Sequence, residues 1–167
     1  YGVSTPPLLT DRAVPQALPT RKLRPNEDPA EQTRPRHIEG STASYSLVDV
    51  RDLNNVIDWF PGDHPPMSDI MRHGPAQMGA AARGCASCHL PNGKGRPENA
   101  PVAGLPAAYF IRLIEDFRRG LRSTFDPRKP NTPTMILLAQ AMTDEEIKAA
   151  AEYFGAMKWT PWTRVIE

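Results

Sequence analysis

Apolar residues recur at helical spacing in three segments of the second half of the chain. The first segment begins near Pro66 and ends at Gly74, and its apolar residues fall three and four positions apart. Proline suits the first position of a helix, and a Gly-Pro pair interrupts one. The pattern therefore predicts a short amphipathic helix whose buried face consists of Met67, Ile70 and Met71.

Two longer amphipathic helices are predicted downstream. The first opens at Pro106 and closes at Gly120, residues suited to the start and the end of a helix. The second opens at Thr143, whose hydroxyl can form a capping box with Glu146. The predicted buried faces are Tyr109 or Phe110, Leu113, Ile114 and Phe117 in the first helix, and Ile147, Ala150, Ala151 and Phe154 in the second.

Proline and glycine punctuate the remainder of the chain. Residues 1–40 contain seven prolines and no sustained helical or alternating pattern. Because proline at that density blocks helices and central strands, this part is predicted to be extended or irregular, either lying across the body or trailing as a disordered tail. Loops are also predicted at 90–104 and 123–134. The predicted divisions are a Pro-rich extended arm at 1–60, a helical domain at 61–158, and an aromatic tail at 159–167 that folds back on the body.

Composition and charge narrow the class of protein. The 167 residues carry a formal net charge of +1, but residues 67–130 hold ten Lys and Arg against five Asp and Glu. Such a basic region favours an internal anionic group or an acidic protein partner, and without interleaved aromatic residues it does not indicate nucleic-acid binding. No apolar run is long enough for a membrane span, and the chain opens at Tyr1 without a leader, so we expect a processed soluble chain.

The two cysteines of the chain lie in the pattern Cys85-x-x-Cys88-His89. Thiols three positions apart fall on one side of a helical turn, where both can reach the vinyl edges of one porphyrin. A histidine directly after the second thiol then lies beneath the ring, within reach of the iron. The pattern therefore predicts covalent attachment of a c-type haem.

Three other interpretations of the cysteines are weaker. A thioredoxin-type redox dithiol requires a βαβ setting, and no strand-like segments surround the motif. A structural zinc site requires four ligands, which His37, His64 and His73 do not complete at suitable spacing. A disulfide across two residues would close a very small loop and restrict the unfolded chain little.

The sixth iron ligand decides between an electron carrier and a haem with an open coordination position. Six methionines are candidates. Those with a structural explanation are Met67, Met71, Met142 and Met157. Spacing favours Met135, which follows a proline-rich loop that could cross the far face of the haem, and leaves His64 and His73 as the bis-histidine alternative.

The segments CASCHLPNGKG, GLPAAYFIRLIEDFRRGLR and MILLAQAMTDEEIKAAAEYF, in this order, resemble a class I c-type cytochrome. The resemblance covers roughly residues 64–158, and residues 1–60 have no counterpart in it. It implies an all-α fold with three or more helices around one covalently bound haem c. The site residues it implies are Cys85 and Cys88 as thioether anchors, with His89 as the proximal and Met135 as the distal ligand of the iron.

One departure from the family concerns the carbonyl that receives the N–H of the proximal histidine. Family members commonly place a proline four residues before the glycine of a Gly-x-x-x-x-Tyr element, which here runs from Gly104 to Tyr109. Ala100 occupies that slot and Pro101 follows it, so either carbonyl could orient His89.

The expected function is a single-haem electron carrier, not itself an enzyme. It would work between a periplasmic dehydrogenase or oxidase and an acceptor, alone or as the cytochrome subunit of such a complex. The alternative is a haem enzyme or gas sensor whose distal ligand is displaceable. Covalent haem attachment implies export to the periplasm, and the arm at 1–60 is expected to dock on the redox partner.

Overall fold

The computed structural model describes residues 22–126, 128–161 and 166. Within them the regular elements are helices, and the one strand-type pairing is an isolated antiparallel bridge between Arg36 and Tyr45. The all-α prediction is confirmed. The helices are α1 Pro29–Thr33, α2 Leu47–Val50, α3 Asp69–Arg72, α4 Ala86–His89, α5 Ala107–Arg118, α6 Asn131–Ala141 and α7 Asp144–Gly155, with a 3₁₀ segment at Ala76–Ala81.

The core lies where α5 packs against α6 and α7. The predicted stripe of α7 is buried, and its alanines at 150 and 151 allow the neighbouring helix to approach closely. Phe110 is the buried aromatic residue of α5, with its ring centroid 5.7 Å from that of Phe154, whereas Tyr109 is exposed. The spacing of apolar residues therefore predicted the packing faces of both helices.

The start of α7 is fixed by the predicted capping box. The Thr143 hydroxyl accepts a hydrogen bond from the backbone N–H of Glu146 at 3.2 Å, and the Glu146 carboxylate accepts one from the N–H of Thr143 at 2.8 Å. The first predicted helix is shorter than its pattern and is confined to α3. It ends where Gly74, at φ +80, lets the chain cross close to Arg83, whose carbonyl oxygen would lie 2.3 Å from a Cβ at position 74.

The loop predicted up to residue 134 is wrong at its downstream end, because α6 already begins at Asn131. Pro133 lies in the first turn of this helix. A proline is tolerated there because the backbone N–H groups of the first turn have no intrahelical acceptor, so a missing one costs no bond. Met135 therefore projects from a helix rather than from a loop.

The described part of the predicted arm is folded. Asp28 caps α1, and the side chain of Gln32 is 1% exposed and bonds to the backbone of residues 24 and 27. Further along, the N–H of Val56 donates to Arg72 and the N–H of Gly84 donates to the carbonyl of Leu53, which ties this part to the helical domain. Short capped helices of this kind carry no apolar repeat, so the pattern could not predict them.

The three predicted divisions of the chain stay predictions. Residues 1–21 lie outside the described residues, as does Trp162. The backbone N of Trp159 lies 3.1 Å from the place a Cβ of Gly104 would take, although the Trp159 side chain is 62% exposed. No helix in the described ranges combines the length and the apolar character needed to cross a bilayer.

Candidate haem-binding site

The two thiols and the adjacent histidine lie on one side of α4. Cys85 occupies the N-cap position, and its carbonyl accepts the N–H groups of Cys88 and His89 at 3.3 and 3.0 Å. Ala86 and Ser87, between the two cysteines, are buried. Because positions i, i+3 and i+4 share a helix face, the three side chains of the motif line the same cavity.

This cavity has a volume of about 460 Å³ and lies between α4, α5, α6 and α7. Its walls are mostly apolar side chains, and most of its polar residues come from the bordering loops and from the first turn of α6. The apolar lining includes Val102, Phe110, Leu113, Ile114, Phe117, Met135, Leu138, Met142 and Phe154. The polar lining includes Arg83, Arg96, Glu98, Asn99, Arg122 and Asn131. An apolar pocket with two free thiols and a polar border fits a porphyrin with its two carboxylate arms.

His89 is held in one orientation by a single hydrogen bond. Its Nδ1 lies 2.9 Å from the carbonyl oxygen of Ala100, which can only accept, so Nδ1 carries the proton. Nε2, which makes no hydrogen bond within the described residues, keeps its lone pair. Burial lowers the pKa of His89, which favours the neutral imidazole that binds a metal. The sequence allowed either the Ala100 or the Pro101 carbonyl to accept the His89 N–H, and in the structure Ala100 accepts it.

The loop that carries the Ala100 carbonyl is packed tightly on the motif. The N–H of Gly95 donates to the carbonyl of His89 at 2.8 Å, and that of Arg96 donates to Cys88 at 3.1 Å. Gly95 has φ +76, and a Cβ there would lie 2.5 Å from the oxygen of Asn99 and 2.8 Å from that of Ala100. Only glycine allows this approach without displacing the carbonyl that orients the histidine.

Cys85 does not have the environment of a reactive thiol. Burial, followed by the neighbouring Cys88, raises the pKa of Cys85 to about 12. Catalytic and redox-active cysteines have a lowered pKa, because the thiolate is the nucleophile. The environment of Cys85 therefore argues against the thioredoxin-type interpretation of the motif.

All six methionines lie within the described residues, and of these Met135 and Met142 line the cavity. Met142 is buried in the core at the end of α6, whereas Met135 is only partly buried beside it. The structure places the candidate histidines elsewhere. His64 Nε2 lies 3.2 Å from an Asp58 oxygen, and exposed His73 bonds to a backbone carbonyl of Asn54.

Two polar contributors to this cavity were not singled out by any motif in the sequence. Arg122 lies at its border, with its guanidinium carbon 5.4 Å from the centroid of the Phe117 ring. Asn131 bonds to residues 98 and 99 on the other side of the opening. Neither belongs to a motif, and their positions depend on how the loops fold against the helices.

Cytochrome c is the family whose model matches this chain, over residues 74–158, which is half of its length. The chain belongs to the cytochrome c family, and membership implies a covalently bound haem c at its single Cys-x-x-Cys-His motif.

Proteins of named function are similar to parts of the chain. It is 36% identical over 74 residues to the "Thiosulfate dehydrogenase electron acceptor" of Stutzerimonas stutzeri (strain A1501), covering 42% of this chain and 31% of that protein. The structure of reduced recombinant cytochrome c4 from Pseudomonas stutzeri is 29% identical, covers 46% of this chain and 39% of that one, and gives a TM-score of 0.40. Thiosulfate dehydrogenase (TsdBA) from Marichromatium purpuratum is 33% identical, with coverages of 55% and 19% and a TM-score of 0.44. The chain thus spans less than half the length of each of these relatives.

Proposed function

We propose that this chain is a single-haem electron-transfer domain that accepts electrons from a periplasmic dehydrogenase or oxidase and passes them to an acceptor. The observation that carries the proposal is that Cys85, Cys88, His89 and Met135 all line one apolar cavity. A histidine and a methionine on the iron are a ligand pair of electron-transfer cytochromes, because the thioether favours the reduced state and no position is left open.

Each of these residues has a distinct task in the proposal. The bound haem supplies a one-electron couple. Cys85 and Cys88 fix the macrocycle, and the Ala100 carbonyl orients His89 and raises the basicity of its other nitrogen. Met135 supplies the thioether from the first half of α6. Apolar side chains of α5 and α7 keep water from the cavity interior.

The class of redox partner is inferred from a relative. The protein of Stutzerimonas stutzeri is named as an electron acceptor of thiosulfate dehydrogenase, so a thiosulfate-oxidising enzyme is a candidate donor for this chain. Residues 67–130 hold twice as many basic as acidic residues, which favours an acidic partner surface. The proposal includes a periplasmic location, because covalent attachment of haem c implies export. The docking role of residues 1–60 stays a prediction.

The test compares two methionine variants of the haem-loaded protein. Met135→Ala is expected to remove the weak band near the red end of the ferric spectrum that marks methionine–iron bonding, to lower the reduction potential and to open the iron to imidazole. Met142→Ala, which shortens the other methionine of the cavity, is expected to retain the band and lose stability. Met78→Ala, outside the cavity, serves as the control for removing a methionine.

Two results would contradict the proposal. Loss of the band in Met142→Ala, with retention in Met135→Ala, would move the distal ligand to the other methionine. A wild-type ferric protein with high-spin features and ready binding of cyanide would instead support the haem enzyme or gas sensor.

A further inference from the structure

The side chain of Asn131 bridges the opening of the haem cavity. Its amide nitrogen donates to the backbone carbonyl of Glu98 at 2.9 Å and to the Asn99 side-chain oxygen, also at 2.9 Å. All three residues line the cavity. Asn131 is the first residue of α6, so these two bonds join that helix to a loop distant in sequence.

The loop on the far side of this bridge is the one that orients the proximal histidine. Residue 99 directly precedes Ala100, whose carbonyl accepts the His89 N–H. At its other end, the loop is bonded to the backbone of the motif through Gly95 and Arg96. The loop therefore has little freedom to move relative to the proximal ligand, and Asn131 attaches α6 to this fixed part.

Met135 lies on the same face of α6 as Asn131. The two residues are four positions apart, so their side chains stack one turn from each other. A hydrogen-bonded clasp at Asn131 therefore fixes the helical turn that presents the methionine. Without it, the first turn of α6 could move away from the loop, since Pro130 before it is exposed and no side chain caps this end.

We propose that Asn131 is a positioning residue that holds Met135 at its distance from the haem iron by clasping α6 to the loop of residues 98–100. The inference rests on the proposed function in taking Met135 as the distal ligand. Loss of the clasp weakens the methionine–iron bond, so external ligands displace the thioether more readily and the potential falls.

The proposal requires the two N–H donors of the amide. Asn131→Ala removes both. Asn131→Asp keeps the shape of the side chain but places a carboxylate next to the Glu98 carbonyl, which is unfavourable. The same negative charge lies at the start of a helix, where a negative charge is favourable. If Asn131 served only to start α6, the aspartate variant would behave like wild type or better; if it serves as a clasp, this variant is also defective.

The experiment measures imidazole binding to the ferric, haem-loaded full chain by absorbance, together with the red methionine–iron band and the midpoint potential. Two lost hydrogen bonds, one exposed and one partly buried, predict a rise in imidazole affinity of roughly fivefold to thirtyfold for Asn131→Ala. Asn99→Ala, which removes one acceptor, should give a smaller rise. Gln140→Ala is the matched control, because it removes an exposed amide from the same helix away from the cavity.

The outcomes separate this inference from the proposed function. Weakened bands and raised affinity in both Asn131 variants, with Gln140→Ala like wild type, support the clasp. An intact methionine band in wild type with unchanged affinity in folded Asn131→Ala and Asn99→Ala variants overturns the clasp and leaves the electron carrier standing. A wild-type protein with no methionine band overturns both.

Discussion

Replacing Gly95 by alanine should destabilise the protein more than the strained backbone of an L-residue at this position explains, because it also disturbs the histidine side of the haem site. A left-handed backbone costs an L-residue about 1–2 kcal/mol, and this term applies wherever φ is near +76. At position 95 the new Cβ also meets the carbonyl oxygens of Asn99 and Ala100 at 2.5 and 2.8 Å, so the loop must shift. The His89 hydrogen bond to Ala100 contributes about 0.5–1.5 kcal/mol and is weakened by that shift.

Gly40→Ala is the matched control. Gly40 has φ +78, and its nearest contact for a Cβ is the Phe60 ring at 3.7 Å, an ordinary van der Waals distance. Denaturant unfolding of the haem-loaded protein should show a loss of about 1–2 kcal/mol for Gly40→Ala and about 1.5–3.5 kcal/mol for Gly95→Ala. The added loss in Gly95→Ala comes from the displaced carbonyls.

The reduction potential provides the second measurement. A histidine that no longer donates to a carbonyl is a weaker donor to the iron, which disfavours the ferric state. Gly95→Ala should therefore raise the midpoint potential by some tens of millivolts, because about 59 mV corresponds to a factor of ten for a one-electron couple. Equal stability losses in the two glycine variants, with equal potentials, would show that the Ala100 carbonyl is not displaced by a side chain at position 95.

Two further predictions concern the stability of the fold. Arg118 donates to the carbonyls of Ala139 and Met142 at 3.2 and 2.8 Å. Arg118→Ala should therefore lower the free energy of unfolding by about 2–3 kcal/mol, and Arg118→Lys, which cannot reach both carbonyls, should lower it by less. A urea titration that shows no loss for Arg118→Ala would contradict this prediction. Burial, reinforced by the Asp58 carboxylate, raises the pKa of Tyr153. Because the unfolded chain then loses its phenolic proton first, stability should be full below about pH 10 and fall as the pH rises further, and Tyr153→Phe should flatten that part of the profile. An unchanged alkaline slope in Tyr153→Phe would show that Tyr153 does not cause the fall.

Local patterns predicted the parts of the fold that depend on local chemistry. The capping box of Thr143 and Glu146 is made by residues three apart, so its geometry follows once a helix forms. The stripe of α7 is buried because its spacing matches the helical repeat. The motif at Cys85, Cys88 and His89 needs only one helical turn to bring its side chains together.

The acceptor for the histidine could not be chosen from sequence. Ala100 and Pro101 both offer a carbonyl, and which one faces the imidazole depends on the turn that Gly95 permits. Proline in the family position is not required for this task, because the acceptor is a backbone group. Likewise, the proline at 133 suggested a loop, yet it occupies the one turn of a helix where it costs little.

Long-range polar contacts could also not be predicted from the sequence. The sequence left His64 as an alternative iron ligand, but its side chain is 2% exposed and lies between Asp58 and the hydroxyl of Tyr153. Tyr153 is 89 residues further along the chain, so the fold must form before the pair meets. A buried polar side chain needs hydrogen-bond partners, and where these come from distant segments no local spacing rule predicts them.

The most direct test of the account is the intact mass, under denaturing conditions, of the full chain matured in a host that attaches haem c. The expected mass is that of the polypeptide plus one haem, because thioether links at Cys85 and Cys88 survive denaturation. A bare polypeptide would contradict it.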